Sequence, residues 1–130
     1  EVYSRACPMF VPLVEEGWIE HPVTQQVARE YLAPLCAEGI SALVLGCTHY
    51  PLLKSVLRRT LGSRVALIDS AAETAAEIGR VLRRHELDAP RSPEAPTHRF
   101  VASDDPQQFL ELGQRFLGDA IERVEVHTFA

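Results

Sequence analysis

From position 22 onward, apolar residues recur at fourfold spacing as Val23, Val27, Tyr31 and Leu35, which places them on one stripe of a helix. The pattern predicts a helix that ends near Gly39, kinked at Pro34, with Cys36 in the core beside Leu35. The run Ala42-Leu43-Val44-Leu45 is continuous rather than alternating, as expected of a parallel strand covered on both faces, and it ends at Gly46. Pro51 then stands where the first turn of a helix tolerates proline, with Leu52, Leu53, Val56, Leu57 and Leu61 as the apolar face and Gly62 as the stop. Val65-Ala66-Leu67-Ile68 predicts a second strand. Asp69-Ser70 leads from it into a helix to about Arg84, in which Ser70 and Glu73 have capping-box spacing.

The flanks are less regular. Residues 2–6 read as a strand end, and Pro8 and Pro12 predict an irregular loop through Phe10 and Val11 into an acidic turn, Glu15-Glu16-Gly17. Residues 85–96, with Pro90, Pro93 and Pro96, can continue neither a helix nor a central strand, so they form a linker or exposed loop and the best candidate boundary. Beyond it, Arg99-Phe100-Val101-Ala102 predicts a strand and Asp105-Pro106 a cap and first turn. Phe109, Leu112 and Phe116 form the buried stripe of a helix ending at Gly118, and Val124-Glu125-Val126-His127 alternates as an edge strand. Strands and helices taking turns in this way describe an α/β protein with mostly parallel sheet.

Composition narrows the function classes. At 130 residues and 46% hydrophobic, the chain has the size of one ordinary domain with a real core. Its net charge of -5, with both signs interspersed, argues against nucleic acid or an anionic membrane surface as partner. No window approaches the roughly 18 apolar residues of a membrane span, and the first ten residues lack a basic region followed by an apolar core. Position 1 is not Met, which suggests a chain that starts within something larger. Three cysteines, Cys7, Cys36 and Cys47, are an odd and sparse set that fits a reducing, cytoplasmic compartment better than a disulfide framework.

In open α/β sheets, sites form beyond the carboxyl ends of the strands, where amides of the next helix also point. Cys47 falls at such an end, and a thiol facing a helix N-terminus is biased toward thiolate. Thr48 offers a hydroxyl and a backbone N–H to an anionic group, and His49 can hydrogen-bond either the thiol or a ligand. Taken alone, the triplet fits equally a small buried hydrophobe followed by a helix cap.

The stretch Ala42-Leu43-Val44-Leu45-Gly46-Cys47-Thr48-His49-Tyr50-Pro51-Leu52-Leu53 closely resembles the signature around the second catalytic cysteine of glutamate racemases, within the aspartate/glutamate racemase superfamily. Upstream, Ala6-Cys7-Pro8-Met9-Phe10-Val11-Pro12-Leu13-Val14-Glu15 resembles a second block of that family. The likeness is close over residues 5–78 and looser to the end. It implies a flavodoxin-like parallel sheet with flanking helices, part of a two-lobed pseudo-symmetric fold in which each lobe gives one cysteine. Residues 1–69 would make most of the second lobe, and residues 70–130 a helix, the linker and terminal β-α-β elements that return to complete the first.

The resemblance further implies interconversion of L- and D-glutamate without pyridoxal phosphate or any other cofactor, supplying D-glutamate for peptidoglycan. An α-carbon proton is only weakly acidic, so such chemistry needs a base on one face and an acid on the other. Cys47 would be that base or acid, Thr48 a substrate-binding residue, and His49 a residue that assists Cys47 or meets the substrate. Glu15 would be a supporting acid, orienting His49 or meeting the ammonium, with a solvated loop carboxylate as the plain alternative. Cys7 matches a non-catalytic position and would pack near the pocket. The family's N-terminal lobe carries Asp-Ser-Gly and Cys-Asn-Thr motifs that occur nowhere in these residues, so the chain would hold half an active site and be inactive alone. Apolar surface facing the missing lobe predicts self-association, a homodimer among the assemblies it allows.

Four other readings compete. A metal site is disfavoured, because Cys7, Cys36, Cys47, His21 and His49 show no zinc-type spacing. A Cys-His hydrolase or transferase lacks an identifiable orienting Asn or Asp. A non-catalytic single-lobe binding module remains, as do aspartate, hydantoin or maleate isomerase-like members of the superfamily; the block at residues 6–15 favours glutamate.

Overall fold

Pro8 and Pro12 do not hold the chain in a loop. In the computed structural model of the protein, which describes residues 1–90, 94 and 96–128, helix α1 spans Phe10–Glu15 with Pro12 as its third residue. Its missing N–H costs nothing there, because the first N–H groups of a helix have no intrahelical partner. Residues 1–7 form no strand. Gly17, at φ +76°, ends the acidic turn after α1.

Helix α2, Pro22–Ala37, starts with Pro22 in its first turn and His21 as N-cap, whose Nδ1 accepts the Val23 N–H at 3.2 Å. It runs through Pro34 and stops before Gly39, whose φ is +67°. Its buried face is Thr24, Ala28, Leu32 and Leu35. Val27 and Tyr31 flank that face, while Val23 and Cys36 are exposed. The buried stripe thus runs one position later than expected, through 24, 28 and 32, and Cys36 is not core: one residue beyond Leu35 is a turn of about 100° around the axis.

A polar residue, Thr24, opens the buried face at its N-terminal end. Thr24 is fully buried, and its Oγ1 donates to the Trp18 carbonyl. That carbonyl also accepts the His21 N–H at 3.2 Å, so Thr24→Val removes one of two bonds. We expect it to cost about 1 kcal/mol, with a lowered urea midpoint at unchanged m-value as the readout; an equal or higher midpoint would show that the hydroxyl contributes nothing.

Strands β1, Ala42–Leu45, and β2, Ala66–Asp69, pair in parallel with Leu45 opposite Asp69. A 3-10 turn, Tyr50–Leu53, and helix α3, Lys54–Leu61, connect them, and Gly62 at φ +76° ends the helix. Leu45 joins Cys7, Phe10, Val14, Ala28, Leu32, Leu35, Leu53, Val56 and Leu57 in one core. Coverage on both faces, expected from the continuous apolar run, is not found: Ala42 is exposed and Val44 is 64% exposed. The core helices lie on the Leu45 side, and Ala42 and Val44 on the other face stay largely exposed.

Helix α4, Ser70–Arg84, is capped by Asp69, which accepts the Ala71 and Ala72 N–H groups at 2.9 and 3.2 Å. The capping box expected of Ser70 and Glu73 does not form, because Ser70 is already the first helical residue. By contacts the chain divides into Glu1–Asp88 and Ala89–Ala130. The division falls inside the proline-rich stretch, of which Pro93 lies outside the described residues, and α4 groups with the first unit.

In the second unit, strands β3, Val101–Ala102, and β4, Glu125–Val126, pair in parallel across helix α5, Pro106–Leu117. Asp105 caps α5 by accepting the Gln108 N–H at 2.9 Å. Arg99, expected within the strand, instead donates from Nη2 to Glu125 Oε2 at 2.7 Å. Gly113 lets Ile121 seat on the helix, since a Cβ there would fall 2.5 Å from Ile121 Cδ1. Phe109 and Phe116 are not a buried stripe; both are about two-fifths exposed, because so short a sheet offers α5 little apolar surface. Parallel pairing throughout makes the fold α/β, as the sequence predicts.

Candidate functional site

Beyond Leu45 the chain leaves the sheet at Gly46 and bends through Cys47, Thr48 and His49 into the 3-10 turn. Short backbone bonds shape the bend: Tyr50 N–H to the Cys47 carbonyl at 3.3 Å and Leu52 N–H to the His49 carbonyl at 3.1 Å. Two anchors fix its far side. Leu53 is fully buried, and Tyr50 packs edge-on against Phe10 while its hydroxyl donates to the Cys7 carbonyl at 3.2 Å. The α-helix proper begins only at Lys54, so the imidazole of His49, not a helix first turn, is the polar partner at hand for the thiol.

His49 is the hub of the cluster. Its Nδ1 lies 4.0 Å from Cys47 Sγ and 3.2 Å from Thr48 Oγ1, and its Nε2 lies 3.4 Å from Glu15 Oε1. Phe10, Leu13 and Val14 bury the inner face of α1, which leaves Glu15 at its exposed end beside the imidazole. In the tautomer that donates Nε2–H to Glu15, Nδ1 is an acceptor for the Thr48 hydroxyl or the Cys47 thiol. The geometry therefore joins all four residues singled out in the sequence: Glu15, Cys47, Thr48 and His49.

The other cysteines stand apart. Cys7 is buried in the core, its thiol donates to the Arg5 carbonyl at 3.7 Å, and burial pushes its pKa up, so it stays protonated. Cys36 is exposed on α2. A cavity of about 800 Å³ beside β1 is lined by Cys7, Phe10, Leu45, Gly46 and Tyr50 among others, but by none of the four cluster residues. Among the described residues, no group of three or more His, Cys, Asp or Glu side chains is placed to hold a metal ion, and no helix is long and apolar enough to cross a membrane.

Sequence reasoning missed three residues that bear on this bend. Ser70 Oγ donates to the Leu45 carbonyl at 2.9 Å, immediately before Gly46. Asp69 forms an ion pair with Lys54, immediately after the 3-10 turn. The available signal was that Asp69-Ser70 ends the neighbouring parallel strand, at the same edge of the sheet as Cys47.

Solved structures share this arrangement of elements. Glutamate racemase from Francisella tularensis, crystallised with D-glutamate, superposes with a TM-score of 0.85 at 33% identity over 98% of this chain and 47% of that one. Glutamate racemase from Thermus thermophilus, with β-chloro-D-alanine, gives 0.80 at 42% identity over 96% and 47%. In sequence, glutamate racemase of Geobacter metallireducens is 52% identical over 118 residues, covering 91% of this chain and 43% of the relative. The chain is homologous to glutamate racemases. Glutamate racemase of Neisseria meningitidis serogroup A agrees, at 50% identity over 125 residues and 96% of the chain. No protein-family model matches the chain. The chain spans just under half the length of the glutamate racemases it matches.

Proposed function

We propose that this chain supplies one face of a glutamate racemase active site, with Cys47 as the acid/base group that exchanges a proton with the α-carbon of glutamate. The observation that supports this most directly is the Glu15, His49, Cys47 alignment at the end of β1. As thiolate, Cys47 removes the α-proton of one enantiomer; the electron pair stays on the α-carbon and spreads into the adjacent carboxylate. A second cysteine, on the part of the enzyme that the chain does not span, returns a proton to the opposite face. In the reverse direction Cys47 S–H is the donor and no external reductant, oxidant or cofactor is consumed.

Glu15 holds Nε2–H of His49, so Nδ1 is the ring atom that faces the thiol. Thr48 competes for Nδ1 at 3.2 Å. A substrate carboxylate that draws the Thr48 hydroxyl to itself frees Nδ1 for Cys47, which couples binding to activation of the thiol. The product, D-glutamate, would serve peptidoglycan synthesis in the cytoplasm, a reducing setting in which the exposed Cys36 persists as a free thiol.

The test is a chimera in which residues 1–130 replace the matching segment of the Geobacter metallireducens relative. In deuterated water we expect it to exchange the α-proton of both L- and D-glutamate and to racemise either one. The 130-residue chain alone is expected to give no racemisation. A folded chimera with no exchange, or full two-way racemisation by the chain alone, would count against the proposal.

A further inference from the structure

We infer that Ser70, acting together with Asp69, is a positioning residue for Cys47. Residues 46–53 form a bridge between β1 and α3, and two adjacent residues at the junction of β2 and α4 tie down both of its ends. At the start, Ser70 Oγ donates to the Leu45 carbonyl at 2.9 Å. At the finish, Asp69 Oδ2 takes the Lys54 ammonium, while its Oδ1 accepts the Ala71 and Ala72 N–H groups. Both carboxylate oxygens are thus engaged, and the Lys54 contact, first among its causes, holds the Asp69 carboxyl below the usual carboxylate range.

The geometry follows from the register. Leu45 and Asp69 are opposite each other on the parallel pair, so the residue after Asp69 stands level with the carbonyl that begins the bridge. Ser70 is the first residue of α4, where its side chain is not needed as a cap because Asp69 already fills that role. Its hydroxyl is spent across the sheet instead. Between the two ties, Gly46 and Thr48 are exposed and Cys47 is half-buried, so packing alone does not fix the thiol. A reactive group must be held within a fraction of an ångström for proton transfer, and a misplacement of about 1 Å can cost roughly 100-fold.

The first arm of the test needs no racemase activity. Iodoacetamide labelling of the 130-residue chain is followed by mass spectrometry on the Cys47 peptide, with exposed Cys36 as internal reference and buried Cys7 as a monitor of unfolding. In Ser70→Ala the Cys47-to-Cys36 rate ratio at neutral pH is expected to fall by about threefold or more, and its dependence on pH to change shape. Ser70→Thr, which keeps the hydroxyl, should restore both. Lys54→Gln, which loosens the other end, should move the ratio in the same direction. An unchanged ratio in folded Ser70→Ala, or a Ser70→Thr variant that behaves like Ser70→Ala, overturns the inference. If Ser70→Ala labels at Cys7 and is therefore unfolded, Lys54→Gln decides: no change in its ratio also overturns it.

The second arm rests on the racemase reading proposed above. In the chimera, Ser70→Ala is expected to lower kcat roughly tenfold with KM altered less than about twofold, since the substrate contacts remain. A raised KM at unchanged kcat would contradict positioning. A chimera without any activity would sink the racemase reading and leave the labelling result to judge Ser70.

Discussion

Phe10→Ala is expected to destabilise the chain by roughly 3–5 kcal/mol, the range for removing a buried phenylalanine. Phe10 is 2% exposed, and its ring meets Tyr31 and Tyr50 edge-on, both with centroids 5.4 Å away. Each such pair adds about 0.5–1.5 kcal/mol beyond burial. Against a total domain stability of about 5–15 kcal/mol, the loss is large. Phe10→Leu keeps most of the volume but not the edge-on contacts, so it should cost about 1.5 kcal/mol or less. Urea titrations give both values, provided the m-value is unchanged. A Phe10→Ala chain within about 1 kcal/mol of the parent would mean that the cavity collapses and that the aromatic trio is not a keystone of this core.

The trio also connects stability to the site. Tyr50 stands just after His49, and its ring rests on Phe10 while its hydroxyl reaches the Cys7 carbonyl. Removing Phe10 therefore frees the far side of the bend that carries Cys47 and His49. The family block at residues 6–15 thus has two physical jobs: Phe10 supports the bend from below, and Glu15 meets His49 from the side.

What the sequence made legible was what neighbouring residues decide together. The strand at 42–45, the second strand, expected at 65–68 and found at 66–69, the glycine stops after α2, α3 and α5, and the Asp105-Pro106 start of α5 all follow from local chemistry. Cys47, Thr48 and His49 are contiguous, so a strand end followed by a turn sufficed to group them. Helix α1 is not legible from the sequence because proline breaks a helix interior, whereas Pro12 in a first turn breaks nothing. Thr24 was missed because a count of apolar positions cannot see that its hydroxyl has a carbonyl to satisfy it. Capping-box spacing points to Ser70 as the cap of α4, whereas strand register gives the cap to Asp69 and turns Ser70 to the Leu45 carbonyl. The proximity of Glu15 to His49 is a tertiary fact that only the family resemblance brought within reach.

In the chimera, Cys47→Ser is expected to reduce racemisation by roughly 10²–10⁴-fold, the usual contribution of a positioned acid/base group, with little change in KM. Serine fits the same space, so a lost fold would not explain the result, and a urea titration should confirm that. A serine hydroxyl is a far weaker acid than a thiol, so it neither takes nor returns the proton at a useful rate. His49→Asn should cost less than Cys47→Ser, because it removes the partner at 4.0 Å and not the group proposed to exchange the proton. Glu15→Gln should cost less again, since a carboxamide still accepts Nε2–H but without charge. If Glu15 acts only through the imidazole, Glu15→Gln in a His49→Asn background adds nothing, and the two effects are not additive. Additive losses would place Glu15 on the substrate instead of on His49. A Cys47→Ser chimera that keeps more than about a tenth of the parent rate would remove Cys47 from the reaction and, with it, the role assigned to the whole cluster.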